Sequence, residues 1–315
     1  MLTLKTIHRN KPQMHRLIPL LSLLLFITLI PTTQAQEQQV WTVGFAQDDM
    51  STPWRRDQAN QFKKLLEQDE RFKVIITDAQ GSAVKQALDA EKLVARGIQA
   101  LVTSPRNGLI MDPVIREIYQ RGIPVVMLTR KPASNHYTSF IAPNDQQIGR
   151  QVAQLLAEKM QQKGRILVLQ GVSTASTAQA RTSGFLNALK QYPDLSVSAI
   201  IDAGYRMEKA ILVMEQILAN QTPFDAIYAQ SDSMAHGAIR ALKQAGIDPS
   251  SLPIVGIDYV AETKQLIKRG DMIASFTYPN AAKQGVAAIK RLYSKQPVEK
   301  NLTVPSVMMS RHNID

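Results

Sequence analysis

Residues 72–105, FKVIITDAQGSAVKQALDAEKLVARGIQALVTSP, carry the pattern that decides the fold class of this chain. A β-branched apolar run opens the segment, a stretch with apolar residues at helical spacing follows, and a second apolar run closes it. Gly97 stands directly after the helical stretch, where helix C-termini favour glycine. Strand, helix and strand in this order predict a right-handed crossover between two parallel strands.

The same alternation continues on both sides of this segment, in two series. The first runs from VWTVGFAQ to IPVVMLTR, and the second begins after Asn144 and runs through RILVLQG and DAIYAQSD to IASFTY. Nearly continuous apolar runs are typical of strands covered on both faces, so the sequence predicts an α/β protein with two doubly wound parallel-sheet lobes. A single larger sheet also fits the pattern. No low-complexity linker divides the series, so we expect several chain crossings that form a hinge.

The N-terminal residues have the composition of a secretory signal peptide. Residues 1–16 carry four Lys or Arg and no acid, residues 17–30 (LIPLLSLLLFITLI) are apolar, and Thr33-Gln34-Ala35 forms a small-residue cleavage site. Fourteen residues are short for a membrane-spanning helix, which is the alternative. We therefore expect residues 1–35 to be removed and the mature chain to reside in the periplasm, soluble.

Charge and residue types exclude several classes of function. Removing the signal peptide would lower the formal net charge from +11 to about +7, and the remaining cations are scattered, which does not favour nucleic-acid binding. The chain has no cysteine, and His136, His236 and His312 lack metal-ligand spacing. GVSTAS lacks the second glycine of a nucleophile elbow, and no phosphate-binding glycine motif is present. We expect no enzymatic activity, no cofactor and no metal.

Polar side chains collect where the predicted strands end. Ligands of open parallel sheets bind at the carboxyl ends of the strands. One such residue would be an ordinary helix cap, but a repeated set in both series indicates a polar cleft. The set comprises Gln47, Asp48, Asp49, Asp78 and Arg130 in the first series, and Gln170, Asp202, Ser231, Asp232 and Asp258 in the second.

Aromatic residues beside this edge favour a sugar as the ligand. Trp54 follows the first polar loop, and Tyr205 and Tyr278 fall in later loops. Aromatic faces pack on the apolar carbons of a sugar ring, while charged groups bind its hydroxyls. Trp54 could instead fix the start of its helix, and the tyrosines could be surface residues.

The chain resembles the periplasmic sugar-binding proteins of the ribose- and galactofuranose-binding class, which have the type I periplasmic binding protein fold and supply ABC transporters. The resemblance lies in VGFAQDDMSTPWR, GIPVVMLTR, RILVLQGVSTASTAQARTSGF, YAQSDSMAHGAIRAL and VGIDY. It implies two α/β lobes joined by a three-segment hinge. The expected bounds are residues 40–142 plus 276–303 for the N-terminal lobe and residues 143–275 plus 304–315 for the C-terminal lobe.

The resemblance also assigns site residues. Trp54 and Arg55 match an aromatic–arginine pair of furanose binders, a variant that Gln47 also fits, while Thr129 and Ser231 replace an aspartate and an asparagine of the family pattern. The complete expected ligand-binding set is Gln47, Asp48, Trp54, Arg55, Arg130, Asp145, Arg181, Tyr205, Ser231, Asp232, Asp258 and Thr277, with Tyr278 as the alternative to Thr277 for the last polar contact.

The resulting prediction is a periplasmic solute-binding protein that captures a small sugar, a pentose or hexose in pyranose or furanose form, between two lobes. Its expected partner is the membrane permease of an ABC importer. The alternative is a ligand sensor of the same fold that regulates a membrane histidine kinase or similar receptor. A DNA-binding regulator is disfavoured because the predicted signal peptide stands where its helix-turn-helix would be.

Overall fold

The computed structural model describes residues 40–314, and the predicted signal peptide, residues 1–35, lies outside this range. Twelve strands and nine α-helices alternate along the described residues. None of these helices is long and apolar enough to cross a membrane. The strands are β1 Trp41–Gln47, β2 Phe72–Asp78, β3 Ala100–Thr103, β4 Val125–Leu128, β5 Ser139–Ala142, β6 Gly164–Gln170, β7 Leu195–Asp202, β8 Ala226–Ala229, β9 Ile254–Asp258, β10 Ala274–Thr277, β11 Asn301–Thr303 and β12 Met308–Ser310. The helices are α1 Pro53–Leu66, α2 Ala83–Ala95, α3 Gly108–Gln120, α4 Asp145–Lys159, α5 Ser176–Leu189, α6 Met207–Ala219, α7 Asp232–Gln244, α8 Ala261–Arg269 and α9 Ala282–Tyr293.

The strands form two six-stranded sheets, which excludes the single-sheet alternative. The first sheet has the order β11-β5-β4-β3-β1-β2, and the second has the order β12-β10-β9-β8-β6-β7. All strand pairs are parallel except β10 with β12, where the C-terminal edge strand runs antiparallel. In each sheet the order reverses beside the first strand of its series, β1 or β6, and ligands of such sheets bind at this reversal.

Helices cover both faces of each sheet, so inner strands such as β3, β4 and β8 are buried, as their apolar sequences predict. On the first sheet, α1 and α9 pack together and α2 packs with α3; on the second, α4 packs with α5 and α6 with α7. Phe45 of β1 and Phe62 of α1 are fully buried and meet edge to face, with ring centroids 5.3 Å apart. The helix α3 begins at Gly108, where the Asn107 side chain accepts hydrogen bonds from the amides of Leu109 and Ile110.

The chain passes between the two sheets three times: between β5 and α4, between β10 and α9, and between β11 and β12. The second passage falls after Thr277, because β10 still belongs to the second sheet there, whereas the expected lobe boundary was at residue 276. Thr277 is held on that sheet by Val307, whose amide donates to Thr277 Oγ1 at 2.8 Å.

Candidate ligand-binding site

A cavity of about 320 Å³ lies between the two sheets, at the carboxyl ends of their strands. This volume is near the lower end of the range of about 300–1,000 Å³ that small-molecule sites occupy. Both sheets contribute to its lining. Eight of the twelve expected residues line it: Asp48, Trp54, Arg55, Arg130, Arg181, Tyr205, Ser231 and Asp258.

On the side of the cavity that the first sheet forms, Asp48 is the carboxylate around which the arginines gather. It is buried directly after β1, and its Oδ2 accepts a hydrogen bond from Arg130 Nη1 at 2.7 Å. Arg55 Nε lies 3.5 Å from Asp48 Oδ1. Burial and the neighbouring charge of Arg130 lower the pKa of Arg55 to about 10, so Arg55 remains charged at neutral pH. Two guanidinium groups therefore share one buried carboxylate.

Thr129 does not line the cavity. Its Oγ1 lies 3.3 Å from Arg55 Nη1, which also donates to Ser104 Oγ at 2.8 Å. Thr129, which replaces an aspartate of the family pattern, thus contacts the Arg55 side chain from outside the cavity. The carboxylate nearest to Arg130 is supplied by Asp48 instead.

Arg181 dominates the opposite side and is held by residues outside the cavity. Its Nε donates to Asp145 Oδ1 at 2.8 Å, and its Nη1 donates to the Gln230 carbonyl at 2.6 Å. Burial alone would lower the pKa of Arg181, but the electrostatic effects of Asp145 and of the neighbouring Tyr205 and Tyr278 together outweigh it and raise the pKa. Asp145 Oδ2 accepts a hydrogen bond from Tyr278 at 3.1 Å, so one carboxylate orients both a guanidinium group and an aromatic ring.

Aromatic rings complete the walls. Trp54 and Tyr278 lie 5.9 Å apart between ring centroids, tilted by 43°. The Arg181 guanidinium group stacks over Tyr278 at 4.4 Å, and that of Arg130 lies 5.5 Å from the Tyr205 ring. Such faces fit the C–H surface of a sugar ring, while the guanidinium groups bind hydroxyls.

Three buried polar atoms of cavity-lining residues have no hydrogen-bond partner among the described residues: Asp48 Oδ1, Arg130 Nε and Tyr205 OH. Buried polar atoms are almost always paired, since an unpaired one costs about 1–3 kcal/mol. One of the three is an acceptor, one is a donor and one is a hydroxyl that can be either. Together they fit a ligand that carries several hydroxyl groups.

Asp258 enters the cavity from a strained backbone. Its φ is +125°, and Tyr259 after it has a φ of +53°; such conformations cost about 1–3 kcal/mol each for non-glycine residues. Burial raises the pKa of Asp258 well above its usual value, and the nearby charge of Asp232 raises it further. Strain of this kind persists only where surrounding contacts enforce it, and it concentrates at functional sites.

Four expected site residues lie outside the cavity and hold its walls in place. Gln47 donates to the Arg55 carbonyl at 2.9 Å, and Asp145 holds Arg181 and Tyr278 as described. The Asp232 carboxylate points away from the cavity, and Ser231, not Asp232, caps α7 by accepting from the Met234 amide at 3.3 Å. Thr277 is engaged with Val307, and Tyr278 lines the cavity in its place.

The two sides of the cleft also touch each other directly. At the rim, Arg206 from the second side donates to Asp49 Oδ2 at 2.6 Å and to Ser51 Oγ at 2.8 Å. Thr177 Oγ1 donates to the Thr129 carbonyl at 3.0 Å. Direct contacts between protein groups therefore join the two sides of the cleft.

Residues 43–296 match the sequence pattern of the periplasmic binding protein domain. The chain belongs to the periplasmic binding protein family. The galactofuranose-binding protein YtfQ of Escherichia coli is 28% identical over 273 residues, which cover 84% of this chain and 85% of that protein.

Solved structures of similar proteins have the same fold. The fructose-binding periplasmic domain of a hybrid two-component system has a TM-score of 0.80 at 28% identity, over 87% of this chain and 92% of that chain. The periplasmic binding protein component of an arabinose ABC transporter from Shewanella sp. ANA-3, bound to α- and β-L-arabinofuranose, has a TM-score of 0.78 at 25% identity, over 87% and 93%. These matches confirm the resemblance and the type I periplasmic binding protein fold. The family and its relatives are binding proteins, which confirms that this chain is not an enzyme.

Several cavity-lining residues were missed by sequence reasoning. Arg106 follows β3 and lies at the same sheet edge as the predicted residues, so the strand-end rule could have found it. Thr177, His236 and Glu262 lie inside the first turns of helices, where no strand-end signal points to them. Their contribution depends on which helix face meets the cleft, and the sequence alone does not show this.

Proposed function

We propose that this periplasmic binding protein captures a small neutral sugar in the cavity between its lobes and delivers it to an ABC importer. The main supporting observation is that three residues lining one cavity each have a buried polar atom without a hydrogen-bond partner among the described residues: Asp48 Oδ1, Arg130 Nε and Tyr205 OH. A ligand hydroxyl donating to the carboxylate and another accepting from the guanidinium group would satisfy the first two. The aromatic walls accommodate the carbon skeleton.

The charge arrangement favours a neutral ligand. Arg130 is paired with Asp48, Arg181 with Asp145 and the rim residue Arg206 with Asp49, at 2.6–2.8 Å. A ligand carboxylate would compete with these ion pairs, and it would stand near Asp48 and Asp258. A polyol instead adds hydrogen bonds without adding buried charge.

A furanose form is supported by the neighbourhood of Arg55. The Trp54–Arg55 pair, which the family resemblance associates with furanose binders, lies in the cavity wall, and Gln47 holds the Arg55 main chain. One similar protein is named for galactofuranose, the solved structure of a second holds arabinofuranose, and a third is named for fructose. We therefore propose a pentose or hexose bound as the five-membered ring.

A sensor is the second candidate, because one of the similar structures is the sugar-binding domain of a hybrid two-component system. Both functions use the same cavity and differ in the membrane partner. Labelled uptake in a strain lacking this protein separates them: lost uptake supports the importer, whereas normal uptake with a lost transcriptional response supports the sensor.

A thermal-shift screen tests the proposed ligand class. Protein beginning at residue 36 is unfolded and refolded to remove any bound ligand, and then mixed with arabinose, ribose, galactose, fructose and galacturonate. A sugar at about a hundred times its Kd stabilises the protein by about 2.7 kcal/mol. We expect one neutral sugar to give this shift and galacturonate to give none.

Two variants show whether the cavity is responsible. Asp48→Ala should abolish the shift, while Arg121→Ala, which alters an exposed arginine directly after α3, should retain it. A preference for galacturonate, or no shift with any sugar of the panel, would contradict the proposed ligand.

A further inference from the structure

Asp232 is the first residue of α7 and is fully buried, yet it does not line the cavity. Its Oδ1 accepts a hydrogen bond from Ser275 Oγ at 2.7 Å. Its Oδ2 accepts one from the Val260 amide at 3.0 Å. Both carboxylate oxygens are therefore engaged with protein groups, and these groups belong to β10 and to the segment that follows β9.

Through Ser275, Asp232 also acts on the residue before Val260. The single hydroxyl proton of Ser275 is donated to Asp232, so its oxygen is free to accept a hydrogen bond. It accepts one from the Tyr259 amide at 3.1 Å. Two consecutive amides, those of Tyr259 and Val260, are thus fixed by one carboxylate and the hydroxyl that it orients.

These two amides follow the residue with the most unusual backbone in the cavity wall. Asp258 has a φ of +125° and Tyr259 a φ of +53°, and neither is glycine. Val260 is the N-cap residue of α8 and makes no side-chain cap hydrogen bond, and its own amide donates to Asp232 of the neighbouring helix. Without these bonds, the segment would be free to relax to ordinary backbone angles and turn the Asp258 side chain away.

Gly256 shows how closely Asp232 packs against β9. A Cβ atom at Gly256 would lie 2.2 Å from Asp232 Oδ1, which is far inside any permitted contact. The glycine of the VGID stretch therefore makes room for the carboxylate.

We infer that Asp232 is a positioning residue, which holds the backbone of residues 258–260 so that Asp258 presents its carboxyl group to the ligand. The inference rests on the proposed function, because it takes Asp258 as a ligand contact. It assigns Asp232 a role different from the direct contact expected from the sequence.

A double-mutant cycle tests this role. Asp232→Asn keeps the side-chain shape, but its amide group cannot accept from both Ser275 and Val260. In the otherwise unchanged protein we expect Asp232→Asn to weaken binding of the sugar found in the screen at least tenfold, measured by calorimetry. In an Asp258→Ala background, measured at high ligand concentration, the same change should alter affinity less than twofold, because the positioned group is gone.

Matched variants separate positioning from general stability. Asp248→Asn makes the same substitution at an exposed cap before β9, on the side of the second sheet away from the cavity, and should leave affinity unchanged. Ser275→Ala removes only the bridging hydroxyl and should weaken binding by a smaller factor than Asp232→Asn. If Asp232→Asn does not fold, Ser275→Ala tests the positioning role in its place.

The possible outcomes are distinct for the two hypotheses. If the unchanged protein binds a sugar and Asp232→Asn binds it equally well, or if the two substitutions act additively, the positioning role is wrong while the proposed function stands. If no sugar binds, the proposed function fails, and amide hydrogen exchange of residues 256–262 decides the inference. Faster exchange in Asp232→Asn but not in Asp248→Asn supports it, and unchanged exchange overturns it.

Discussion

Tyr205 combines three features that seldom occur together in one residue. Its φ is +62°, its ring lies so close to Gly171 that a Cβ there would be 1.9 Å from the ring Cζ, and its buried hydroxyl has no partner among the described residues. Burial raises the pKa of this hydroxyl, so it stays protonated and can donate. A ligand hydroxyl is the partner that this arrangement fits.

Replacing Tyr205 with Phe should weaken ligand binding without lowering the stability of the protein. Binding should weaken roughly tenfold, because a ligand hydroxyl left unpaired in an enclosed cavity costs about 1–3 kcal/mol. The free energy of unfolding without ligand should be unchanged or higher, since an unpaired buried hydroxyl has been removed. Calorimetry and denaturant unfolding measure the two quantities.

Tyr228→Phe is the matched control, because Tyr228 also has an unpaired buried hydroxyl but does not line the cavity. It should leave affinity unchanged. If Tyr205→Phe lowered stability as much as affinity, the hydroxyl would have a structural partner rather than a ligand partner.

The sequence predicted residue types at the cleft better than the direction of their side chains. The strand-end rule places Gln47 and Asp232 near the correct edge, and the family resemblance places Asp145 there. Their side chains, however, support Arg55, Arg181 and the segment after β9. Successive residues of an extended chain point to opposite sides, so Thr277 faces β12 while Tyr278 faces the cavity. These directions depend on contacts between distant segments, which local patterns do not contain.

At the scale of elements, α4 and α5 touch through their backbones. A Cβ at Gly184 would lie 2.0 Å from the Gln146 carbonyl oxygen, and one at Gly149 would lie 2.1 Å from the Arg181 carbonyl oxygen. The crossing sets the separation between Asp145 on α4 and Arg181 on α5. The alternation of strands and helices predicted both helices, but not that their glycines meet, because this contact depends on how the helices cross.

Gly184→Ala should therefore disturb both packing and binding. Overpacking of this kind typically costs about 1–3 kcal/mol, and the shift between the helices should displace Arg181 and weaken binding. Gly285→Ala in α9 is the control: its Cβ would meet side-chain atoms rather than backbone, Leu128 at 3.0 Å and Phe62 at 3.3 Å, and it should cost less. Equal stability and affinity in the two variants would contradict this account of the crossing.

At the scale of the whole molecule, the two lobes hold each other partly without the ligand. The Arg206–Asp49 ion pair spans the cleft rim at 2.6 Å, and hydrogen bonds involving Ser51 and Thr177 add to it. Hydrogen bonds from Ser51, together with the charge of Arg206, outweigh burial and lower the pKa of Asp49, so the ion pair is present at neutral pH. The two-lobe architecture and its three crossings were predictable from the alternating pattern and the family resemblance, but this rim contact was not.

Arg206→Gln should speed ligand dissociation while leaving association nearly unchanged. A partly exposed ion pair contributes about 0.2–1 kcal/mol, which corresponds to an increase of up to roughly fivefold in the dissociation rate. Salt should produce the same acceleration in the unchanged protein and little further effect in the variant. Stopped-flow measurement of dissociation at low and high salt checks both.

Lys209→Gln is the control, because Lys209 pairs with Asp202 within one lobe, at 2.8 Å. The ligand should dissociate from Lys209→Gln at the same rate as from the unchanged protein. A rate for Arg206→Gln equal to that of the unchanged protein at low salt would show that the rim contact does not retain the ligand.

The three passages between the sheets also affect the order in which the protein can be assembled. The first sheet receives its edge strand β11, and the helix α9 that packs against α1, only after the whole second series has been synthesised. Val286 and Ile289 of α9 complete the apolar core around Phe62. A nascent chain that ends near residue 142 therefore lacks part of its own core, and cutting the gene there would yield no independently complete half.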